Sequence, residues 1–161
     1  MTREERAVLD DLSALARDPQ GRRLLQLALR GIQESGRGLT YGCWIKQDGG
    51  VSGCLFQHAY WQGVEEGVFQ PAGEVKPGIK AFVGDEDFAL VMRSIRAFDL
   101  LGKRRFMRWQ PGPYAIPRRT LDEGRWRAAV ERLLIDALAR GGQAGVREEP
   151  APQRPELGAR A

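Results

Sequence analysis

The chain has 161 residues, 42% hydrophobic and 29% charged, with 25 Lys or Arg, 21 Asp or Glu and a net charge of +4. That size and balance suit one soluble globular domain with a substantial core. The start MTREER does not resemble a secretory signal, and no apolar run approaches the roughly 18 residues that would span a bilayer, so a cytoplasmic location and no membrane partner are expected. Two cysteines exclude a disulfide framework.

Thr2 followed by Glu5 has the spacing of a capping box, and Val8, Leu9, Leu12, Leu15 and Ala16 recur behind it at helical intervals, predicting a first helix that ends near Asp18. Asp18-Pro19 then caps a second helix with the stripe Leu24, Leu25, Ala28, Leu29 and Ile32. Residues 39–47 read as a strand ending at Asp48-Gly49, a dipeptide favoured in tight hairpin turns. Residues 68–78 read as loop. Asp85, Glu86 and Asp87 suit the positive end of a long helix, whose face carries Phe88, Val91, Met92, Ile95, Phe98 and Leu101 and which Gly102 closes. Pro111-Gly112 suits the centre of a type II turn joining strands 104–109 and 114–118. Thr120 and Glu123 form a second capping-box spacing ahead of a helix carrying Trp126, Val130, Leu133, Leu134 and Ala137, which Gly141-Gly142 ends. The expected architecture is α+β, mainly α: one domain over 1–141 with about five helices and one or two short β-hairpins, and a disordered tail over 142–161, where apolar residues are sparse.

The segment 42–63 concentrates chemistry, holding Cys43, Cys54, the lone His58, Trp44 and Trp61. Two conformations give different outcomes. As a hairpin closed at Asp48-Gly49, it places Cys43 opposite Cys54, while His58 lies roughly 13 Å along the strand from Cys54 and cannot share a ligand with it. As a helix capped by Ser52, it makes Cys54 and His58 neighbours at i and i+4. Cys43 would then complete a Cys-Cys-His zinc site with an open position, or His58 would activate the Cys54 thiol. The stripe Phe56, Tyr60, Gly63 and Val64 favours the helix, whereas the aromatic content favours a strand. The ordinary role of such groups is packing for a buried thiol and a satisfied hydrogen bond for a lone histidine. No P-loop, GxGxxG, HExxH or GxSxG is present, so the sequence points away from an enzyme more than toward one.

The net charge is local. Residues 103–127 carry eight Lys or Arg against Asp122 and Glu123, net +6, with Phe106, Trp109, Tyr114 and Trp126 interleaved; these rings suit base stacking, although Trp126 is expected in the core. The order of segments over 78–119, the helical piece IKAFVG, a turn, DEDFALVMRSIRAFDLLG, then KRRFMRW, Pro111-Gly112 and YAIPRR, resembles a winged helix-turn-helix domain. The resemblance implies that Arg93 and Arg96 face DNA from the recognition helix, and that Lys103, Arg104, Arg105, Arg108, Arg118 and Arg119 lie on or beside the wing. Asp85, Glu86 and Asp87 depart from that pattern, since they place carboxylates at the helix end that normally approaches the bases. Three functions are therefore carried forward: a small regulatory or binding protein contacting nucleic acid or an acidic protein surface through the basic hairpin, a zinc or thiol site on Cys43, Cys54 and His58, and a protein-interaction module without chemistry of its own.

Overall fold

The computed structural model describes residues 1–42 and 52–146. Among them are six helices, α1 (Arg3–Leu15), α2 (Pro19–Glu34), α3 (Leu55–Glu65), α4 (Val75–Val83), α5 (Asp85–Arg105) and α6 (Glu123–Val146). Two strand pairs accompany them. β1 (Gly38–Leu39) runs parallel to β2 (Ser52–Gly53), and β3 (Met107–Pro111) runs antiparallel to β4 (Pro117–Leu121). The fold is α+β and mainly α, with one helix more than the sequence suggested and one hairpin among the described residues. No helix among these residues is long and apolar enough to cross a membrane.

The N-terminal helices start where their caps predict. The Thr2 hydroxyl accepts from the Glu5 amide at 3.1 Å while the Thr2 amide donates to the Glu5 carboxylate at 2.8 Å, satisfying donors that a helix N-terminus otherwise leaves open. Asp18 caps α2 by accepting from the Gln20 amide at 3.4 Å, with Pro19 as the first helical residue. α1 packs against α5 and α6, and α2 against α3 and α6. Their apolar stripes meet in one buried cluster that includes Leu9, Leu12, Leu25, Val91, Leu101 and Leu134. Trp126 lies at its centre, 1% exposed, edge-on to Tyr41, Phe98 and Phe106 with ring centroids 5.3 to 6.3 Å away. Its indole N–H donates to the Thr40 carbonyl at 3.3 Å, so the polar atom of this large side chain is satisfied.

The structure corrects the expected boundaries at several points. Residues 52–66 are largely helix, as the Phe56 stripe suggests, but Ser52 sits in β2 and Cys54 is the cap. The Cys54 side chain accepts from the Gln57 amide, and the Gln57 side chain accepts from the Cys54 amide at 2.8 Å, a capping box with sulfur in place of a hydroxyl. Leu39 pairs in parallel with Gly53, which excludes the hairpin register that sets it opposite His58. The rest of the expected strand, including Cys43 and the Asp48-Gly49 turn, lies outside the described residues. Residues 75–78, read as loop, are the first turn of α4, where Pro77 is tolerated because amides there have no intrahelical acceptor.

Gly102 and Gly141 do not end their helices. α5 continues to Arg105 and α6 to Val146, and both glycines mark close approaches. A Cβ on Gly102 would lie 2.5 Å from the Tyr41 ring, and one on Gly141 2.5 Å from Ala16. α6 runs past the Gly141-Gly142 pair to Val146, and residues 147–161 lie outside the described residues. Thr120 belongs to β4, and the residue before α6 is Asp122, whose carbonyl accepts from the Trp126 amide at 2.9 Å and whose carboxylate accepts from the Arg125 amide at 3.4 Å. Finally, Pro111 is the last residue of β3 and Gly112 has φ −94°, so no type II turn is centred on them; a short 3₁₀ turn, Pro113–Ala115, connects the strands.

Candidate nucleic-acid interface

The β3–β4 ribbon grows out of the end of α5. Phe106, 7% exposed, terminates the helix in the core, and its carbonyl accepts from the Asp122 amide at 2.7 Å, closing the ribbon's base. The Arg125 guanidinium covers the Phe106 ring at 5.5 Å. Half-buried Met107 and Leu121 pair next, and the Met107 sulfur accepts from the Tyr41 hydroxyl at 3.6 Å. Beyond this pair the ribbon leaves the helical body.

Alternation along the strands divides its side chains between two faces. Trp109 and Arg119 face each other across the strands on the side shared with Met107 and Leu121, while the pairs Arg108–Thr120 and Gln110–Arg118 occupy the other. Arg119 is anchored by donating to the Lys103 carbonyl at 3.3 Å. The Gln110 amide, with its oxygen toward Arg108, accepts from that guanidinium at 2.9 and 3.2 Å. Both faces therefore present a fixed or braced guanidinium. Residues 103–121 contain six basic side chains and no acidic one.

Aromatic side chains divide sharply between core and surface. Phe106 and Trp126 are buried, whereas Trp109 is 68% exposed, Tyr114 98% and Ile116 67%. Most of the ribbon lies beyond the core, so rings on its outer half have nothing to pack against.

The eight cations singled out by the sequence do not form one surface. Arg93 pairs with Asp11 of α1 at 2.8 Å, and Arg96 lines the same open groove between α1 and α5, beside Glu4, Asp10 and Asp11. Arg104 and Arg105 both reach the Glu4 carboxylate, at 3.2 and 3.5 Å. A backbone hydrogen bond and the bond from Arg104 hold that carboxyl below its ordinary pKa, so it stays ionised opposite the two arginines. Among the described residues, Lys103, Arg108, Arg118 and Arg119 have no carboxylate within 4.0 Å. These four stand at the ribbon and its base. Glu4 was missed in the sequence because its partners lie 100 residues away and leave no local signature.

The order helix, turn, helix, hairpin is present as α4, Gly84, α5 and the ribbon. The N-terminus of α5 is acidic as expected, and Asp87 there is 9% exposed. Burial, a hydrogen bond with the Asp18 carboxyl and the charges of Asp18 and Glu86 push the Asp87 carboxyl up to about 6.

Cys54 caps α3 and His58 lies on it, with burial exceeding nine-tenths at each. The His58 Nε2 donates to the Gly38 carbonyl at 2.9 Å, since a carbonyl can only accept, and this bond ties α3 to β1. Burial pushes the imidazole pKa down against the pull of that bond, and the Arg127 charge lowers it further, leaving a neutral ring edge-on to Trp61. Cys43, the third member of the expected zinc set, lies outside the described residues. Among the described residues no group of three or more His, Cys, Asp or Glu side chains could hold a metal ion. The cavity against Cys54, lined also by Tyr41, Phe98, Asp99 and Trp126, has a volume of about 10 Å³, room for roughly one water. Comparison of the chain with protein-family models, with curated proteins and with solved structures gives no match.

Proposed function

We propose that this protein binds nucleic acid, and that the contact is the β3–β4 ribbon rather than the exposed face of α5. The observation that carries the reading is a ribbon with no acidic side chain over 103–121, which presents Arg119 with exposed Trp109 on one face and Arg108 with Arg118 on the other, with Lys103 at its base and exposed Tyr114 at its turn. None of these four cations has a carboxylate partner among the described residues. Unneutralised arginines grip phosphate through paired N–H donors, and a nucleic acid displaces counterions as they engage. α5 is unsuited to lead the docking: its N-terminus holds three acidic residues, and Arg93 and Arg96 stand beside the carboxylates of α1. In this reading α5 supports the ribbon.

The test is equilibrium binding of labelled oligonucleotides across a salt series. Four phosphate contacts predict that log K falls against log salt with a slope of about −3 to −4. Absence of binding at low salt removes the reading.

A further inference from the structure

We infer that the ribbon's ligand is a single strand, held by stacking of unpaired bases on Trp109 and Tyr114; this rests on the nucleic-acid reading above. Tyr114 carries the argument furthest. It has φ 58° and Ala115 has φ 61°, both in the left-handed region, whereas neighbouring Gly112 sits at φ −94°, a conformation open to any residue. Glycine or asparagine would relieve the turn at 114, because a tyrosine Cβ there crowds the backbone. Yet the chain places a tyrosine at this position and leaves its side chain 98% exposed. The ring contributes little to the fold and occupies a site that other residues would stabilise better. Its use lies outside the molecule.

Trp109 supplies the second ring. It lies beside Arg119 on one face of the ribbon, and Arg119 is fixed by the Lys103 carbonyl, so an indole for a base stands next to a guanidinium for a phosphate. Tyr114 lies past the end of β3, at least roughly 7 Å further along the ribbon than Trp109. That exceeds the 3.4 Å or so between neighbouring bases on one strand of a duplex. In a duplex, moreover, neighbouring base pairs cover both faces of each interior base, and exposing one costs unstacking energy. An extended strand offers free faces at no such cost. The absence of any acidic side chain from 103–121 fits this polyanion over a basic or purely apolar protein partner, and the exposed rings give it the stacking contacts that bases supply.

The experiment compares a single-stranded oligonucleotide of about twelve nucleotides with the duplex of the same sequence, for the full chain and for the W109A and Y114G variants, with helix content checked in each. The proposal predicts that the wild type binds the single strand at least about tenfold tighter than the duplex. It also predicts that each variant loses at least about fivefold in single-strand affinity with an unchanged salt slope, while duplex affinity stays within about twofold. Y114G, which relaxes the turn, is expected to be as stable as the parent or more so, separating a binding role from a structural one. Equal or tighter duplex binding, or variants that bind the single strand as well as the parent, overturns the inference and leaves nucleic-acid binding standing. No binding of either ligand at low salt overturns both.

Discussion

The helical body and the β3–β4 ribbon use the same residue types in opposite ways. In the body, Trp126 is enclosed by three other rings, and Arg93, Arg104, Arg105 and Arg132 reach carboxylates of α1. Arg127 ties the body further by donating to the carbonyls of Ile32 and Arg37. In the ribbon, Trp109 and Tyr114 face solvent and Arg108 and Arg118 have no carboxylate partner among the described residues. Arginine richness alone therefore says little. What separates internal bracing from an outward-facing site is whether a carboxylate from a distant element arrives opposite the guanidinium.

The two tryptophans test this contrast most strongly. Trp126→Ala opens a cavity in the centre of the core and is expected to destabilise by about 3–5 kcal/mol, whereas Trp109→Ala changes stability by no more than about 0.5 kcal/mol. Urea unfolding of both variants checks it. Similar losses at the two sites would mean that the ribbon is packed as the body is.

A second test concerns strain within the body. Asp87, raised to about 6 by burial and the nearby Asp18 carboxyl, has a folded-state pKa above its unfolded value of about 4. Its contribution to stability is therefore complete below about pH 4 and is lost as pH rises through about 6. Asp87→Asn keeps the shape and removes the charge, so it should abolish that decline and raise Tm by about 3 °C at pH 7.5. His58, with its pKa depressed by burial, acts in the opposite sense, losing stability as pH falls below its unfolded value. It is unchanged in the variant, so the difference between the two Tm–pH curves isolates the Asp87–Asp18 pair.

Glu4→Gln sharpens the comparison by moving body arginines toward the ribbon's condition. With the carboxylate gone, Arg104 and Arg105 join the free cations beside Lys103, and nucleic-acid binding should gain about one to two units of salt slope along with higher affinity. An unchanged slope would show that these two arginines point away from the ligand. Tyr114→Gly is expected to have only a small effect on stability, a gain of at most about 1 kcal/mol from relief of the left-handed backbone, read by urea unfolding.

Local chemistry made much of the fold readable. The Thr2–Glu5 box, the Asp18-Pro19 start and the stripe of α5 are each written within a few residues, and each forms as expected. Features that depend on distant partners were not readable. Gly102 and Gly141 look like helix ends by type, but Tyr41 and Ala16 pressing against them give these residues their role. A thiol is a weak hydrogen-bond acceptor, so Ser52 was a more natural cap than Cys54; the short parallel pairing of β1 with β2 puts Ser52 in a strand instead. The candidate site was readable only as a charge surplus over 103–127. Sorting its cations into braced and free depended on Glu4, at the opposite end of the described chain.

In the proposed function the ribbon, not the long helix, meets the ligand. Amide and indole chemical shifts followed while a single-stranded oligonucleotide is added test it most directly. The largest changes are predicted at Arg108, the Trp109 indole, Tyr114, Arg118 and Arg119, with Arg93 and Arg96 unmoved. Changes centred on Arg93, Arg96 and the α1–α5 groove, with a silent ribbon, would contradict it.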